Sequence, residues 1–490
     1  MTAPGDPGAG RLGAAIDALR REGLLAAAVG ALPVVTSVID DSRLVRSGAL
    51  FLALPGTRTD GVRFIDDAVQ RGAALVLTER EIRGATPVLL VRDARRAART
   101  VARAWYGDPS GNLTLVGLTG TNGKTTTTAL LRHLLNARGD AGSIGTVGAF
   151  DGAGGMVASS AGTLTTPGPV DLQATFAGLA ERGLRAVVME ASSHSLDQGR
   201  LDGLAFAAAV FTNLSHDHLD YHGSMDRYLA AKLRLAELIA PDGVLVVNRD
   251  DPAWETLGGR RAVGFGWRPG SDVSVEGAVL TAEGSRFRLT GVFGSREASI
   301  PHVGDFNVTN ALAAAAAALA LGLPLALVAE RLATAPQVPG RLERIATRPC
   351  AILRDYAHTP DALERVLAAL RPLTRQRLIV VFGCGGDRDR GKRPVMGRIA
   401  VSGADLAIAT SDNPRSEDPE RILDDVAAGM RGTGHLRITD RRAAIAHAIG
   451  LANEGDTIVL AGKGHETYQV IGTVKHPFDE RDIVRKMVGG

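Results

Sequence analysis

The chain has 490 residues, 45% hydrophobic and 22% charged, with a formal net charge of +3. That length exceeds what one hydrophobic core organises, so two to four domains are expected. Near-balanced charge excludes bulk attraction to nucleic acid or a membrane surface, and two cysteines, Cys350 and Cys384, build no disulfide framework.

The opening MTAPGDPGAG lacks a basic region followed by an apolar core, so a cytoplasmic protein without a secretory signal is expected. Its small polar residues read as disordered. Apolar runs follow at 49–54 (ALFLAL), 73–78 (AALVLT) and 87–92 (PVLLVR), with helical stretches such as FIDDAVQRG between them. This is a small α/β domain, 1–111. A second domain, 112–337, opens with the strand NLTLVGLTG, a glycine-rich loop and the helix TTTTALLRHLLNARG. Its later strands are RAVVME, FAAAVFTN and GVLVVN. The nineteen uncharged residues at 311–329 are long enough to span a bilayer, but Gly322-Leu323-Pro324 divides them into a buried helix, a turn and a second helix. Beyond TAPQVPGR (334–341), the runs RLIVVFG, ADLAIAT and DTIVLAG alternate with helices. They read as a parallel sheet forming a third, Rossmann-like domain, 338–490.

Ligands of parallel sheets collect at the carboxyl ends of the strands, and the polar clusters of this chain repeatedly follow a strand. TGTNGKTTTT (119–128) departs from the strict GxxxxGK(S/T) pattern, because Leu118 stands where the first glycine belongs. Gly120, Gly123, Lys124 and Thr125 nonetheless meet the mechanical needs of a phosphate loop. These are close backbone approach, a lysine for phosphate charge, a magnesium-side hydroxyl and a helix N-terminus. MEASSHS puts Glu190 at a strand end, where a carboxylate can bind a metal or simply belong to a capped turn. TNLSHDHLDYHG gathers His216, Asp217, His218, Asp220 and His222 without cysteine, which favours Mg²⁺ with a mixed set of ligands over zinc. About half of these five side chains are expected to serve the turn itself. Only six lysines occur among 56 basic residues, and four of them, Lys124, Lys232, Lys392 and Lys463, lie in these clusters or those below.

Together TGTNGKT, EASSH, NLSHDHLDYHG, YLAAK ending at Lys232, and GDFNVTNALAA (304–314) resemble the ATP-dependent Mur ligases of peptidoglycan synthesis, over nearly the whole chain and in the same order. The resemblance implies three α/β domains, for a UDP-sugar, ATP and an incoming amino acid. It also implies a phosphate loop with this shorter glycine spacing, using Gly120, Thr121, Asn122, Gly123, Lys124, Thr125 and Thr126. Lys232 matches the family's carbamylated lysine; from its surroundings alone it reads as a surface helix residue. Glu190 and His218 match ligands of one Mg²⁺, with Lys232 as ligand or positioner, and Thr125 matches a ligand of the other. Lys124, Lys232, His218 and Glu190 form the implied catalytic set. Asn307 and Asn310 match adenine-side contacts, and Arg341 with Asp355 the phosphate and ribose contacts. Asp40 and Ser42 of DDSR, and Thr57, Arg58 and Thr59 of GTRTDG, match uridine-side loops. Thr165, Thr166, Ser192, Gln198 and Arg200 match contacts to a muramyl-dipeptide. Leu164 departs from relatives that carry a polar residue before the threonine pair.

Three further loops follow strands of the third domain. FGCGGDRDRGKRPVMG fails as a dinucleotide fingerprint, because Arg388 occupies the third glycine position, and its arginines suit an anion. SDNPRSEDP presents Arg415 on a turn stiffened by Pro414, and AGKGHETYQ carries Glu466. Arginines and a carboxylate facing one pocket suit a zwitterion with additional carboxylate charge. Asp-Asn-Pro-Arg resembles the signature of ligases adding meso-2,6-diaminopimelate to UDP-MurNAc-L-Ala-D-Glu. By that match Arg388, Asp412, Asn413, Pro414, Arg415, Gly462 and Glu466 contact the diamino acid. No role follows for Lys392 or Arg393 beyond local positive charge. A monomeric enzyme with ATP and Mg²⁺, no nucleic-acid partner and no stable membrane association is expected. The alternatives are an L-lysine-adding ligase of the same step, folylpolyglutamate synthetase, or a non-catalytic ATP-gated scaffold.

Overall fold

A computed structural model describes residues 7–56, 59–82, 84, 86–158, 164–257 and 261–489. The chain divides into two compact units. The first comprises residues 1–121, 135–246 and 256–262; the second comprises 122–134, 247–255 and 263–490. Both are α/β, with sheets rich in parallel pairing, as the alternation of apolar runs and helices predicts.

In the first unit, a five-stranded sheet runs in the order Leu25–Val29, Val88–Val91, Ala73–Thr78, Ala49–Leu52, Ser37–Ile39. Only Leu25–Val29 is antiparallel to its neighbour. Helices Pro7–Arg21 and Ala94–Trp105 bury Leu12, Ile16 and Leu19 with Ala97, Val101 and Trp105 against this sheet. The first helix therefore begins at Pro7, inside the stretch expected to be disordered. Its apolar residues at 12, 15, 16 and 19 recur at helical spacing, and their burial stabilises the helix despite a glycine-rich start.

The same unit contains a parallel run in the order Ala141–Gly145, Ala186–Glu190, Thr114–Thr119, Phe206–Phe211. Register decides what meets at its carboxyl edge. Glu190 lies opposite Leu118, and Phe211 opposite Thr119, so residues 120, 191 and 212 leave the sheet side by side. The Ala191 N–H donates to Leu118 O at 2.7 Å, and the Thr212 N–H to Thr119 O at 3.0 Å.

In the second unit, six strands run in the order Glu343–Ala346, Ala351–Asp355, Thr457–Ala461, Leu378–Phe382, Leu406–Ala409, His435–Arg437, all parallel except the first. Helices Pro360–Leu370, Lys392–Gly403 and Pro419–Ala427 contribute Leu363, Met396 and Leu423 to one core layer. Arg441–Leu451 and Glu480–Val488 contribute Ile445 and Val484 to another. The alanine-rich segment forms a helix, Asp305–Ala320, buried through most of its length, followed by Leu325–Ala333. The break falls at Gly322, where φ is +91°, and at Pro324. Among the described residues no helix is long and apolar enough to cross a membrane.

Candidate active site

The aligned strand ends of the first unit hold a continuous polar network. Glu190 is buried, and Thr146 grips it twice, its N–H donating to Oε1 at 2.9 Å and its hydroxyl to Oε2 at 3.0 Å. Gly145 leaves room for this carboxylate, since a Cβ there would lie 2.3 Å from Oε1. The Thr146 hydroxyl also lies 3.2 Å from Thr165 Oγ1. Thr166 donates to the Glu190 carbonyl at 2.8 Å, and its hydroxyl accepts the Ser192 N–H at 3.1 Å. Arg200 donates to the Thr166 carbonyl at 3.0 Å and to Gln198 Oε1, while Gln198 reaches Tyr221 at 3.2 Å. Thr165, Thr166, Ser192, Gln198 and Arg200 thus share one network with Glu190. Asp40 sits close enough to feel Arg200, yet burial and the neighbouring Asp171 push its carboxyl up to about 6. Ser42 is buried in the turn capped by Asp41, and Thr59 is exposed. Thr57 and Arg58 lie outside the described residues.

Lys232 is 1% exposed, which overturns its reading as a surface helix residue. Its position on Met225–Glu237 turns it towards the sheet, where Nζ donates to Gly120 O at 2.6 Å. The ammonium lies 4.3 Å from the Tyr228 ring centroid, and Tyr228 in turn hydrogen-bonds Thr121 Oγ1 at 3.2 Å. In the histidine-rich stretch, His222 is buried against Ser193 Oγ at 3.0 Å, whereas His216 and His218 are exposed. His218 takes φ +53°, a left-handed conformation that costs a non-glycine residue about 1 kcal/mol.

In the second unit, helix Lys124–Leu135 follows Asn122 and Gly123. Gly123 has φ +84°, and a Cβ would lie 2.3 Å from Asn310 Oδ1, so the loop backbone presses directly on that side chain. Asn310 donates to Asn307 Oδ1 at 3.1 Å, and Asn307 to Val303 O at 2.8 Å. Asn122 donates to Asp361 Oδ2 at 3.0 Å. Thr125 and Thr126 are buried in the helix's first turn, and Arg341 donates to Thr125 Oγ1 at 3.2 Å. Asp355, beside Arg341, accepts the Leu342 N–H at 2.7 Å, and burial pushes its carboxyl up to about 6 despite that arginine.

Level strand ends in the second unit bring the loops after 382, 409 and 461 together, because Asp355 and Phe382 both pair with Ala461, and Phe382 with Ala409. Gly462 has φ +117° and no room for a Cβ, which would lie 2.6 Å from Asp412 Oδ2. That buried oxygen has no hydrogen-bond partner among the described residues. Asn413 donates to Glu466 Oε2 at 2.9 Å. Arg415, at φ +52°, donates its side chain to Gly386 O at 2.8 Å and its backbone N–H to Val470 O at 3.1 Å. The Pro414 carbonyl closes over Gly386, and Arg388 is exposed nearby on the glycine-rich loop, donating to Asp387 O at 3.1 Å. Lys392 and Arg393 acquire roles here. Lys392 donates to His358 O at 2.8 Å. Arg393 is fully buried between Glu417 and Asp425 and holds Glu417 down to about 2.

The chain matches three domain models: the Mur ligase family catalytic domain at residues 34–101, the Mur ligase middle domain at 118–318, and the Mur ligase glutamate ligase domain at 340–464. A UDP-N-acetylmuramoyl-L-alanyl-D-glutamate–2,6-diaminopimelate ligase of Geobacillus kaustophilus is 46% identical, covering 94% of this chain and 96% of its own. The chain belongs to the Mur ligase family. A similarly named ligase of Gloeobacter violaceus is 46% identical over 92% of this chain and 93% of its own. A solved structure of a ligase of that name superposes with a TM-score of 0.63 at 36% identity, covering 93% of this chain and 95% of that one.

This Mur ligase also carries side chains that motif reading passed over. His194, the histidine of EASSH, packs 4.9 Å from the His218 ring and 4.2 Å from Tyr221, and burial and its histidine neighbours push its imidazole down to about 4. It is therefore neutral at pH 7. Nothing around Thr146 in the sequence marks it, whereas Lys463 stands inside the GKGHE stretch, where spacing alone assigns it no contact. Among the described residues no three His, Cys, Asp or Glu side chains converge into a metal cage. An ammonium at Lys232 offers a metal no lone pair, but its carbamate would add two oxygens and keep one N–H for Gly120 O.

Proposed function

We propose that this enzyme joins meso-2,6-diaminopimelate to the D-glutamate end of UDP-MurNAc-L-Ala-D-Glu, driven by ATP. The observation that carries the reading is the loop cluster in which Arg415 lies with two carboxylates, Asp412 and Glu466. A diamino diacid offers ammonium groups for the carboxylates and a second carboxylate for the guanidinium. L-Lysine lacks that carboxylate and would leave Arg415 unanswered, a loss that discriminates well in a desolvated site. The names of relatives sharing 46% of their residues support the same substrates.

The work divides as follows. Residues 1–111 hold the uridine end through Asp40, Ser42 and the 57–59 loop. Residues 112–337 carry the phosphate loop, with Asn307 and Asn310 on the adenine side, and 338–490 bind the amino acid and close on ATP through Arg341 and Asp355. Thr165, Thr166, Ser192, Gln198 and Arg200 orient the dipeptide so that its free γ-carboxylate faces the phosphoryl donor. Lys124 and the loop N–H groups offset the charge that grows on the transferred phosphoryl group. Glu190, His218 and carbamylated Lys232 would hold one Mg²⁺ and Thr125 a second; these ions would supply further positive charge at the phosphates. The carboxylate oxygen attacks the γ-phosphorus of ATP, the P–O bond to ADP breaks, and ADP leaves as the acyl phosphate forms. Asp412 and Glu466 hold the diamino acid while its neutral amine attacks the acyl carbon. The C–N bond forms, the C–O bond to phosphate breaks to release inorganic phosphate, and the amine proton passes to water. We further propose that the enzyme works as a cytoplasmic monomer.

The test is phosphate release from Mg-ATP and UDP-MurNAc-L-Ala-D-Glu with either meso-diaminopimelate or L-lysine, for wild type and Arg415→Ala. Preference for diaminopimelate, lost in the variant, is the expected result. Release with lysine alone moves the enzyme to the lysine-adding reaction, and release with neither refutes both.

A further inference from the structure

Lys463 has no part in the chemistry above, yet it is fully buried at the centre of the amino-acid loops. Burying an ammonium costs several kcal/mol unless it is paired and hydrogen-bonded. Its Nζ donates to Glu466 Oε2 at 3.2 Å and to Asn413 Oδ1 at 3.2 Å. Asn413 donates to the same Glu466 oxygen, so both bonds end on Oε2 and neither engages Oε1. Asn413 Oδ1 also accepts the Val470 N–H at 2.9 Å. Val470 lies on the hairpin Tyr468–Ile471 and Val474–Pro477. That hairpin holds Arg415 by both its backbone donor and its backbone acceptor, through Arg415 N–H to Val470 O at 3.1 Å and Gly472 N–H to Arg415 O at 2.7 Å.

We infer that Lys463 is a positioning residue for substrate selection, fixing through Asn413 and the hairpin the separation between the Glu466 carboxylate and the Arg415 guanidinium. The inference rests on the diamino-acid reading of this site. An ammonium suits the task because it is compact and directs its protons to several acceptors at once, whereas a planar guanidinium needs more room. Lys463 is one of only six lysines in an arginine-rich chain. It also cancels one unit of the negative charge that Asp412 and Glu466 present to the ligand. The two readers then remain at a spacing that fits one length of zwitterion.

Steady-state kinetics on the full-length enzyme test this with Lys463→Met and Lys463→Arg. Lys463→Met should raise KM for meso-diaminopimelate by roughly tenfold or more, while KM for ATP and for UDP-MurNAc-L-Ala-D-Glu stays within about twofold. Lys463→Arg, which restores the charge and the donors, should recover part of that loss. If Lys463→Met does not fold, Lys463→Gln, which keeps N–H donors but no charge, is read in the same way. An unchanged KM for diaminopimelate, or a parallel rise in all three KM values, overturns the inference alone. A wild-type enzyme that turns over without regard to diaminopimelate overturns the substrate reading first and this inference with it.

Discussion

The Lys232 ammonium donates to the carbonyl of Gly120, the first glycine of the phosphate loop, at 2.6 Å. Only glycine fits at 120, since a Cβ there would lie 1.9 Å from Thr212 Oγ1 and its φ is +148°. A helix residue and a loop residue 112 positions apart are thereby locked together. Lys232→Ala should cut turnover by roughly 100-fold or more, and added acetate or formate should restore part of it by supplying the missing carboxylate. Wild-type turnover without such acids would refute the carbamate role.

Gly123→Ala tests the phosphate loop without touching a charge. The new methyl would meet Asn310 Oδ1 at 2.3 Å in a left-handed backbone conformation. ATP affinity should fall at least tenfold, on the order of 1.4 kcal/mol, by calorimetric titration. Lys124→Ala should abolish turnover and leave the circular dichroism spectrum unchanged. An active, folded Lys124→Ala enzyme would remove the loop from the mechanism.

Arg441 and Glu480 form an ion pair in which both side chains are fully buried, at 2.8 Å, and Arg441 also donates to Ala461 O at 3.0 Å. Removing one partner strands the other charge. Arg441→Ala should destabilise the second unit by about 3–5 kcal/mol in urea denaturation, and replacing both residues by Met and Leu should recover most of that loss. Equal losses in the single and double variants would contradict this account.

His302 is 2% exposed, and burial pushes its imidazole from 6.5 down to about 4. The unfolded chain therefore binds a proton that the folded chain refuses throughout that window. Its contribution to stability is intact above about pH 6.5 and is lost as pH falls towards about 4. Relative to His302→Phe, the wild type should lose roughly 2 kcal/mol between about pH 7.5 and pH 5. An offset between the two proteins that does not change with pH would refute the shift.

Local features of the sequence determined much of this protein. The strand, glycine-rich turn and helix around Lys124, the break at Gly322 and Pro324, and the polar loops after apolar runs follow from backbone preferences and apolar periodicity within a few residues. Tertiary structure decided what those loops meet. The Thr457–Ala461 strand inserts between Ala351–Asp355 and Leu378–Phe382, bringing the 462–466 loop beside Asp412 and Asn413, an arrangement chain order does not reveal. Lys232 reads as an exposed helix residue from its neighbours alone, and Arg393 as a loop charge, yet both are buried. Burial depends on which distant segments cover a side chain. Local spacing carries no record of that, so partners such as Gly120, Glu417 and Glu466 emerge only when the sheets assemble.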